Sequence, residues 1–314
     1  MLCVVNKGTD PYFNLAAEEY FFHHFSDDIF MLWQNQQSII IGKHQNTLSE
    51  INYQYVKKNN IAVVRRLSGG GTVYHDTGNL NFTFIQNARK EFPVDFKNFT
   101  QPILDVLHKL GVDARHGLKN DLLIGEKKIS GNAEHIFKNR ILHHGTLLFS
   151  SRLKDLNEAI HTNPEKYLDK AVKSRRSTVT NISDHLKQPM SISEFSQHIL
   201  NHIFTISTNA VMYDLKENDI QSIKDLSVNK YQSWEWNYGY SPSYQISKSS
   251  DDTEVKVTVE KGIITEALIK LNGTDEQISG LLINLPHKEE TIREVLFLHH
   301  VYISDIEKII NQLF

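Results

Sequence analysis

The segment RRLSGGGTVYHDTGNLNF (65–82) holds the residues whose types and order are most specific for chemistry. Three successive glycines follow an apolar run, and glycine permits backbone conformations that bring several N–H groups close to one ligand. An array of backbone N–H groups attracts an anion such as a phosphate or a carboxylate. Arg66 and Ser68 can add a positive charge and a hydroxyl to such a site. The segment predicts an anion-binding loop, and a plain flexible turn is the alternative.

This glycine segment differs from the two common nucleotide-binding loops. It has neither the G-x-x-x-x-G-K-[ST] pattern of a P-loop nor the G-x-G-x-x-G pattern of a dinucleotide-binding fold. The residues that follow, NLNFTFIQ (79–86), alternate apolar and polar side chains, which predicts a half-buried strand rather than a helix. A nucleotide bound here would therefore use a site of another type.

The segment KNDLLIGEKKISGNAEHIF (119–137) is the second candidate for chemistry. Lys127 and Lys128 are adjacent, and neighbouring side chains of a strand point to opposite faces, so we expect one in solvent and one inward. Asp121, which follows Asn120, can hold a hydrated magnesium ion against a phosphate. The alternatives are a polar turn and a pair of surface lysines.

Two more segments carry polar groups in a pattern. His143 and His144 point apart on a strand and lack H-x-x-x-H spacing, which favours structural histidines lining a pocket over a metal site. The segment KAVKSRRSTVTN (170–181) places four cations, Arg176 among them, beside hydroxyl side chains. It is either a solvated surface or a loop that closes over a phosphate.

Composition limits the function classes. The chain has 314 residues, which predicts two domains, and its 40% hydrophobic and 23% charged residues exclude wholesale disorder. A net charge of -3 without a basic stripe argues against nucleic acid as a partner. One cysteine excludes an internal disulfide and a multi-cysteine metal site. Lys7 and Asp10 interrupt any signal peptide, and no apolar run reaches the ~18–20 residues of a membrane span, so we expect a cytoplasmic protein without a membrane partner.

The helix pattern begins close to the N-terminus. Pro11 after Asp10 suits the first position of a helix. Ser49 is the expected cap of a helix through Tyr55 to Asn59. Further helices are expected over residues 94–110, 152–160, 192–206 and 214–227.

Strands are expected between these helices. Residues 30–34 and 38–44 are separated by a short polar stretch and are predicted to pair with each other. Gly125 and Lys261-Gly262 indicate β-hairpins over residues 121–131 and 254–271. We place a domain boundary near residue 245, after which the tail is too short to hold a large core alone.

Five segments together resemble one family. RRLSGGGTVYHDTGNLNFTF, KNDLLIGEKKISGNA, HHGTLLFS, SRRSTVTN and SWEWNYG are similar, in this order, to motifs of the lipoate–protein ligase A family, and the resemblance covers essentially the whole chain. Arg175 stands where the family's adenylate-binding loop commonly has Val. The resemblance implies an α/β (α+β) fold: a mixed-sheet catalytic domain of the biotin/lipoate-ligase type over residues 1–245, and a small C-terminal α/β accessory domain over residues 246–314.

The resemblance also implies an activity. Lipoate and ATP, with Mg²⁺, would give lipoyl-AMP and pyrophosphate, after which the lipoyl group passes to a lysine of a lipoyl domain. Acceptors of this kind are 2-oxo-acid dehydrogenase acyltransferase subunits and the glycine-cleavage H protein. Bringing a carboxylate to a phosphate costs about 4 kcal/mol per unit-charge pair at ~4 Å and an effective dielectric of ~20. A lysine between the two anions offsets that repulsion.

The family motifs assign roles to residues of this chain. Lys128 is the implied catalytic residue because it precedes Ile-Ser-Gly, and Lys127 is then expected to face outward. Asp121 is the implied magnesium ligand, and the apolar slot for the acyl chain is expected near Val64 and Leu67. The implied ATP-binding residues are Arg66, Gly71, Thr72, Val73, Tyr74, Lys128 and Ser177. The implied lipoate-binding residues are Lys128, Ser68, Gly70 and His75.

Other activities on the same fold stay open at this point. An octanoyl or lipoyl transferase with a cysteine nucleophile would have to use Cys3, which lies outside every motif. The mostly retained loop at 174–181 argues against a transferase that takes preformed lipoyl-adenylate, although Arg175 departs from the family pattern there. A non-catalytic lipoate-binding protein would share the binding residues. A biotin ligase lacks support because its glycine- and arginine-rich loop is missing.

Overall fold

The structure is a computed structural model that describes residues 1–87, 95–118, 120–160, 166–175, 177–250, 252–271 and 276–314. The chain forms two compact units, and each unit is built from three stretches of sequence. The first unit comprises Met1–Lys43, Ala62–Asn157 and Arg175–Gln232. The second unit comprises His44–Ile61, Glu158–Ser174 and Ser233–Phe314. The domain boundary near residue 245 stays a prediction, and it falls within a strand of the second unit, Tyr244–Ser249.

The chain contains both helices and strands, often in runs of one type, and the expected α/β (α+β) class is confirmed. The strands are β1 (Leu2–Val5), β2 (Ile29–Gln34), β3 (Ser38–Ile41), β4 (Ala62–Arg65), β5 (Val73–His75), β6 (Asn79–Asn87), β7 (Ala114–His116), β8 (Asp121–Ile124), β9 (Lys127–Phe137), β10 (Arg140–Leu148), β11 (Tyr167–Asp169), β12 (Val211–Met212), β13 (Tyr244–Ser249), β14 (Thr253–Glu260) and β15 (Ile263–Leu271). The α-helices are α1 (Pro11–His24), α2 (Thr47–Glu50), α3 (Tyr53–Lys58), α4 (Phe96–Lys109), α5 (Leu153–Ala159), α6 (Ile192–Ile206), α7 (Glu217–Leu226), α8 (Glu276–Leu282), α9 (Glu289–Leu298) and α10 (Ile303–Leu313).

The first unit contains two mixed sheets. The larger has the strand order β12-β1-β2-β6-β10-β9-β8-β7. In it β1 runs parallel to β2 and β12, whereas the other neighbours are antiparallel. The smaller sheet has the order β4-β3-β5, with β3 parallel to β4 and antiparallel to β5. Both sheets therefore mix strand directions, as expected.

The predicted pairing of residues 30–34 with 38–44 is wrong. β2 lies between β1 and β6 in the larger sheet, and β3 lies between β4 and β5 in the smaller one. The stretch between them does not make a hairpin turn, because Asn35 is buried and its side chain is bonded to other parts of the unit. Both strands are interior strands, so their partners come from distant sequence that a local pattern does not reveal.

The strand predicted over residues 79–86 exists as β6, but it is buried on both faces rather than half-buried. On its apolar face Phe84 contacts the ring of Phe99 on α4, with centroids 5.9 Å apart. On its polar face Thr83 donates to the carboxylate of Glu18 on α1, at 2.6 Å. Because helices cover both faces, the polar side chains of β6 lie inside the protein, where each needs a partner.

Capping residues set where several helices begin. Asp10 accepts a hydrogen bond from the Tyr12 N–H, with Pro11 at the first helical position of α1, as predicted. The expected cap at Ser49 is wrong: Asn52 caps α3, whereas Ser49 lies inside α2 and donates to the Asn46 carbonyl. Serine and asparagine both cap helices, and sequence alone did not show that a separate turn of helix precedes α3.

The second unit has one antiparallel sheet with the order β11-β13-β14-β15. Its core combines alternate residues of β14 and β15 with apolar residues of α8, α9 and α10. The hairpin predicted around Lys261-Gly262 is confirmed, and both residues have positive φ. In the part of the chain that the structure describes, no helix is long and apolar enough to cross a membrane.

Gly145 of β10 tests how tightly the sheet of the first unit is packed. A Cβ there would overlap Asn132 Oδ1 and lie 2.5 Å from the Phe82 ring. We expect Gly145→Ala to lower the free energy of unfolding by about 1–3 kcal/mol. Gly8→Ala is the control, because its Cβ would be in ordinary contact at 3.5 Å from Asn6 Oδ1. Denaturant titration measures both, and equal stability of the two variants would contradict this packing.

Candidate active site

The glycine loop (residues 68–72) lies between β4 and β5 in the first unit. The end of β4 is held by the Arg66 N–H, which donates to the Ile41 carbonyl at 3.0 Å. The Lys43 N–H donates to the Ser68 carbonyl at 2.8 Å. Gly70 has φ of +88°, a conformation that glycine adopts without strain. The start of the loop is therefore fixed to the small sheet, and the loop turns at a residue whose positive φ favours glycine.

The Arg66 side chain is buried beneath this loop. Its Nη2 donates to the carbonyls of Gly69 at 2.6 Å and Gly71 at 2.8 Å. Its Nη1 donates to the Ile40 carbonyl at 3.1 Å, and its Nε to Ser68 Oγ at 2.9 Å. Burial lowers the pKa of Arg66 to about 10, so the guanidinium stays charged at neutral pH. Sequence reasoning proposed Arg66 as an anion ligand and missed this role, in which it shapes the loop from below.

The loop packs against the larger sheet of the same unit. Ser68 Oγ and His144 Nε2 on β10 are 2.6 Å apart. A Cβ built on Gly70 would lie 3.9 Å from the Ala133 Cβ on β9. The loop is thereby set beside the strand that carries Lys128.

Lys128 projects from the start of β9. Its Nζ lies 2.6 Å from Asp121 Oδ1 on β8, across the predicted hairpin, which is confirmed. The Lys128 Nζ also lies 3.0 Å from where a Cβ of Gly131 would stand, so glycine leaves room for the ammonium. The side chain is 26% exposed, whereas Lys127 faces solvent as predicted.

Residues 178–180 lie directly beside Lys128. The Lys128 N–H donates to the Thr178 carbonyl at 2.9 Å, and the Thr180 N–H donates to the Lys128 carbonyl at 3.1 Å. Ser177 and Arg175 are exposed. Arg176, one of the predicted cations of this segment, lies outside the described residues. The main chain of the segment is thus tied to the strand of the lysine.

His75 lies at the end of β5 beside a group of buried polar side chains. Its Nδ1 is 3.1 Å from Asn35 Nδ2, and its ring centroid is 6.0 Å from that of Trp33. Within the described residues, His75 Nε2 and Asn81 Nδ2 are buried without a hydrogen-bond partner. An unpaired buried polar atom costs roughly 1–3 kcal/mol, so these atoms are suited to contact a ligand. The sequence analysis did not identify Trp33 or Asn81 as site residues. The alternating polar residues of β6 were the pattern that could have indicated Asn81.

The other predicted site residues have varied positions. Tyr74 is buried in β5, where it pairs with Ile39, and its hydroxyl accepts from Gln37 at 3.0 Å. Gly71, Thr72 and Val73 are partly exposed. Val64 is fully buried and Leu67 nearly so.

The adjacent histidines are hydrogen-bonded, as expected for structural residues. His143 contacts Glu134 at 2.9 Å and stacks on Phe99, whereas His144 contacts Glu18 on the opposite face of the sheet. No cluster of three or more His, Cys, Asp or Glu side chains that suits a metal ion occurs among the described residues.

The fold and the loop together define an α/β protein in which a glycine-rich loop lies beside a partly buried lysine. The family model of the lipoyl protein ligase A/B catalytic domain matches residues 10–204. The chain belongs to this family. Its sequence is 41% identical to the lipoate-protein ligase LplJ of Bacillus subtilis, over 94% of this chain and 93% of that protein. It is 39% identical to lipoate–protein ligase 1 of Staphylococcus aureus, over 96% of both.

Solved structures agree with the family. A lipoate protein ligase of T. acidophilum with bound lipoic acid has a TM-score of 0.64 and 26% identity, over 76% of this chain and 98% of that chain. A lipoate-protein ligase A bound with ATP has a TM-score of 0.65 and 26% identity, over the same shares. A bi-partite ligase of Thermoplasma acidophilum, described with its E2 lipoyl domain, has a TM-score of 0.63 and 25% identity, over 76% and 96%. The expected fold is confirmed.

Burial of His75 predicts a pH dependence of stability. Burial first, and then the charge of Arg66, lower its pKa from 6.5 to about 3. Between these values the unfolded chain binds a proton that the folded chain excludes, so stability falls as pH falls, by about 1.4 kcal/mol per pH unit. We expect His75→Gln to reduce the slope of unfolding free energy between pH 6 and 4.5 by about this amount. The control is His198→Gln, at an exposed position of α6; an unchanged slope in His75→Gln would contradict the burial of a neutral ring.

Proposed function

We propose that this chain is an ATP-dependent lipoate–protein ligase. It activates lipoate as lipoyl-AMP and then transfers the lipoyl group to a specific lysine of a lipoyl domain. Two relatives with this name, aligned over more than nine-tenths of the chain, support the proposal. The observation that carries it is the position of Lys128, whose ammonium lies between the Asp121 carboxylate and the Gly131 backbone, on the strand that packs against the glycine loop.

In the first half-reaction a lipoate carboxylate oxygen attacks the α-phosphorus of ATP, and pyrophosphate leaves. The two reacting groups are both anions, and a fixed ammonium beside them lowers the repulsion and stabilises the charge of the transition state. Asp121 holds Lys128 Nζ at 2.6 Å before substrate binds, so the ammonium is already oriented. A preorganised charge needs no reorganisation when the reaction occurs.

The glycine loop is the proposed nucleotide and carboxylate site. Arg66 draws the carbonyls of Gly69 and Gly71 toward itself, which favours loop N–H groups directed outward to an anion. The proposed ATP-binding residues are Arg66, Gly71, Thr72, Val73, Tyr74, Lys128 and Ser177. The proposed lipoate-binding residues are Lys128, Ser68, Gly70 and His75. Arg66 acts in this proposal through its charge and through the loop carbonyls that it holds.

In the second half-reaction the amine of an acceptor lysine attacks the lipoyl carbonyl carbon, and AMP leaves. The proposed acceptors are lipoyl domains of 2-oxo-acid dehydrogenase acyltransferase subunits and the glycine-cleavage H protein. The ligase of Thermoplasma acidophilum that is described with its E2 lipoyl domain supports a partner of this class. We place the protein in the cytoplasm, in keeping with its single buried thiol, Cys3.

Magnesium is the proposed metal, held by Asp121 and the nucleotide phosphates. Mg²⁺ commonly uses one or two carboxylates together with substrate phosphates and water, so a lone carboxylate beside a phosphate site fits it. Magnesium would neutralise phosphate charge when bound. Asp121 then has two partners in the cycle, the ion and Lys128 Nζ.

A cysteine-based acyl transfer finds no support at Cys3. The thiol is fully buried in β1, and burial raises its pKa. A nucleophilic cysteine needs an accessible thiolate, which a lowered pKa favours. The proposed activity instead uses the site around Lys128.

Replacing Lys128 tests the proposal directly. We expect Lys128→Ala to reduce lipoate-dependent exchange of labelled pyrophosphate into ATP by roughly 100-fold or more, because the charge between the two anions is lost. Lys127→Ala is the matched control, adjacent in sequence but exposed, and should stay within about threefold of the native rate.

If the native protein shows no exchange but transfers the lipoyl group from synthetic lipoyl-AMP, the protein is a transferase that uses preformed adenylate. Arg175→Val would then be the variant in which to look for restored exchange. Binding of lipoate without either half-reaction would make it a non-catalytic binder. Full exchange in Lys128→Ala would contradict a role for Lys128 in adenylation.

Replacing Asp121 tests the metal. We expect Asp121→Asn to raise the Mg²⁺ concentration for half-maximal exchange by at least about fivefold, because a neutral ligand binds the ion more weakly. Glu126→Gln is the control, since that carboxylate is on the same hairpin but is exposed and pairs with Arg115. An unchanged Mg²⁺ dependence in Asp121→Asn would show that the ion is held without this carboxylate.

A further inference from the structure

A continuous chain of buried side chains connects the glycine loop to helix α1 and to β2 within the first unit. Its members, in order, are Arg66, Ser68, His144, Glu18, Thr83 and Trp33, and each is less than one-tenth exposed. The successive donor–acceptor distances are 2.9, 2.6, 2.9, 2.6 and 2.9 Å. Glu18 lies outside the five segments that resemble the family.

Residue types limit the directions of these hydrogen bonds. Arginine only donates, so Arg66 Nε donates to Ser68 Oγ, and a carboxylate only accepts, so His144 Nδ1 donates to Glu18. In the neutral imidazole Nε2 is then the acceptor, and the hydroxyl proton of Ser68 goes to it.

The other arm ends at the same carboxylate. The indole of Trp33 only donates, so its Nε1 donates to Thr83 Oγ1, and the hydroxyl proton of Thr83 goes to Glu18 Oε1. Both arms thus converge on Glu18 as their terminal acceptor. If residue 18 could not accept hydrogen bonds, both His144 and Thr83 would lose their acceptor.

We propose that Glu18 is a positioning residue of the active site. Through His144 and Ser68 it fixes the Arg66 guanidinium that shapes the glycine loop, and through Thr83 it fixes Trp33 beside His75. It would thereby align the glycine loop with the buried polar side chains around His75. This role rests on the proposed ligase function, because the two parts that it aligns are the proposed sites for the reacting groups.

Kinetics of pyrophosphate exchange test the role. We expect Glu18→Leu, which removes the acceptor, to lower kcat by roughly 30-fold while the KM for ATP changes less than about threefold. Glu18→Gln, which keeps one carbonyl oxygen, should recover most of that loss. Glu19→Gln is the matched control: this neighbour on α1 binds Lys230 and Tyr231 instead, so the variant should change thermal stability without changing kcat.

A double-mutant cycle shows whether Glu18 and Ser68 affect kcat through one connected series of hydrogen bonds or independently. Glu18 and Ser68 each contact His144, and the proposed path from one to the other passes through its ring. If they act through it, Glu18→Leu combined with Ser68→Ala should be no more than about threefold slower than the worse single variant. Losses in kcat that multiply would overturn the proposed path from Glu18 through His144 and Ser68 to Arg66, and a kcat unchanged by Glu18→Leu would overturn the proposal as a whole.

A spectroscopic measurement tests whether Glu18 orients the His144 ring, and it does not require enzymatic activity. In protein labelled with ¹⁵N-histidine, NMR should show the Nδ1-protonated tautomer of His144 in the native chain and in Glu19→Gln. Glu18→Leu should shift the ring toward the Nε2-protonated tautomer. An Nε2-protonated His144 in the native protein overturns the proposal. If exchange is absent from native protein, the ligase proposal fails, and the tautomer still shows whether Glu18 orients the ring.

Discussion

The buried guanidinium of Arg66 is the interaction on which the site depends. A glycine-rich loop has high conformational entropy, and a site that must meet charged ligands needs it in one conformation. Arg66 supplies that constraint by binding two loop carbonyls from inside, at 2.6 and 2.8 Å. The charge is itself held by Ser68 and by the end of β3, through the Ile40 carbonyl. The glycines of the loop allow many conformations, and the Arg66 guanidinium holds the loop in one of them.

Polar burial on this scale has an energetic cost that the fold meets with paired hydrogen bonds. The polar face of β6 is covered by α1, and Glu18 accepts from both Thr83 and His144. Among the described residues, His75 Nε2 on β5 and Asn79 Oδ1 and Asn81 Nδ2 on β6 are buried without a partner. A ligand that bonds to such atoms would complete their pairing. The polar face of β6 thus contributes both to stability and to the proposed site.

Local sequence determined much of this protein. The start of α1 at Pro11 and the hairpins at Gly125 and Lys261-Gly262 depend on single turns of backbone, so residue type alone predicts them. The opposite orientations of Lys127 and Lys128 follow from strand geometry. The fold class and the family followed from five ordered motifs, which place the chemistry in a short stretch of sequence.

Tertiary structure decided the rest. The partners of β2 and β3 lie in different sheets, and a local pattern does not contain the distant strand with which each one pairs. Sequence identified Arg66, Ser68 and His144 one by one, but only the fold brings them together with Glu18, more than 120 positions away from His144 along the chain. A hydrogen bond needs both groups within about 3 Å, and chain folding sets that distance. Residue types limit which bonds are possible, and the packing of α1 on the sheet selects those that form.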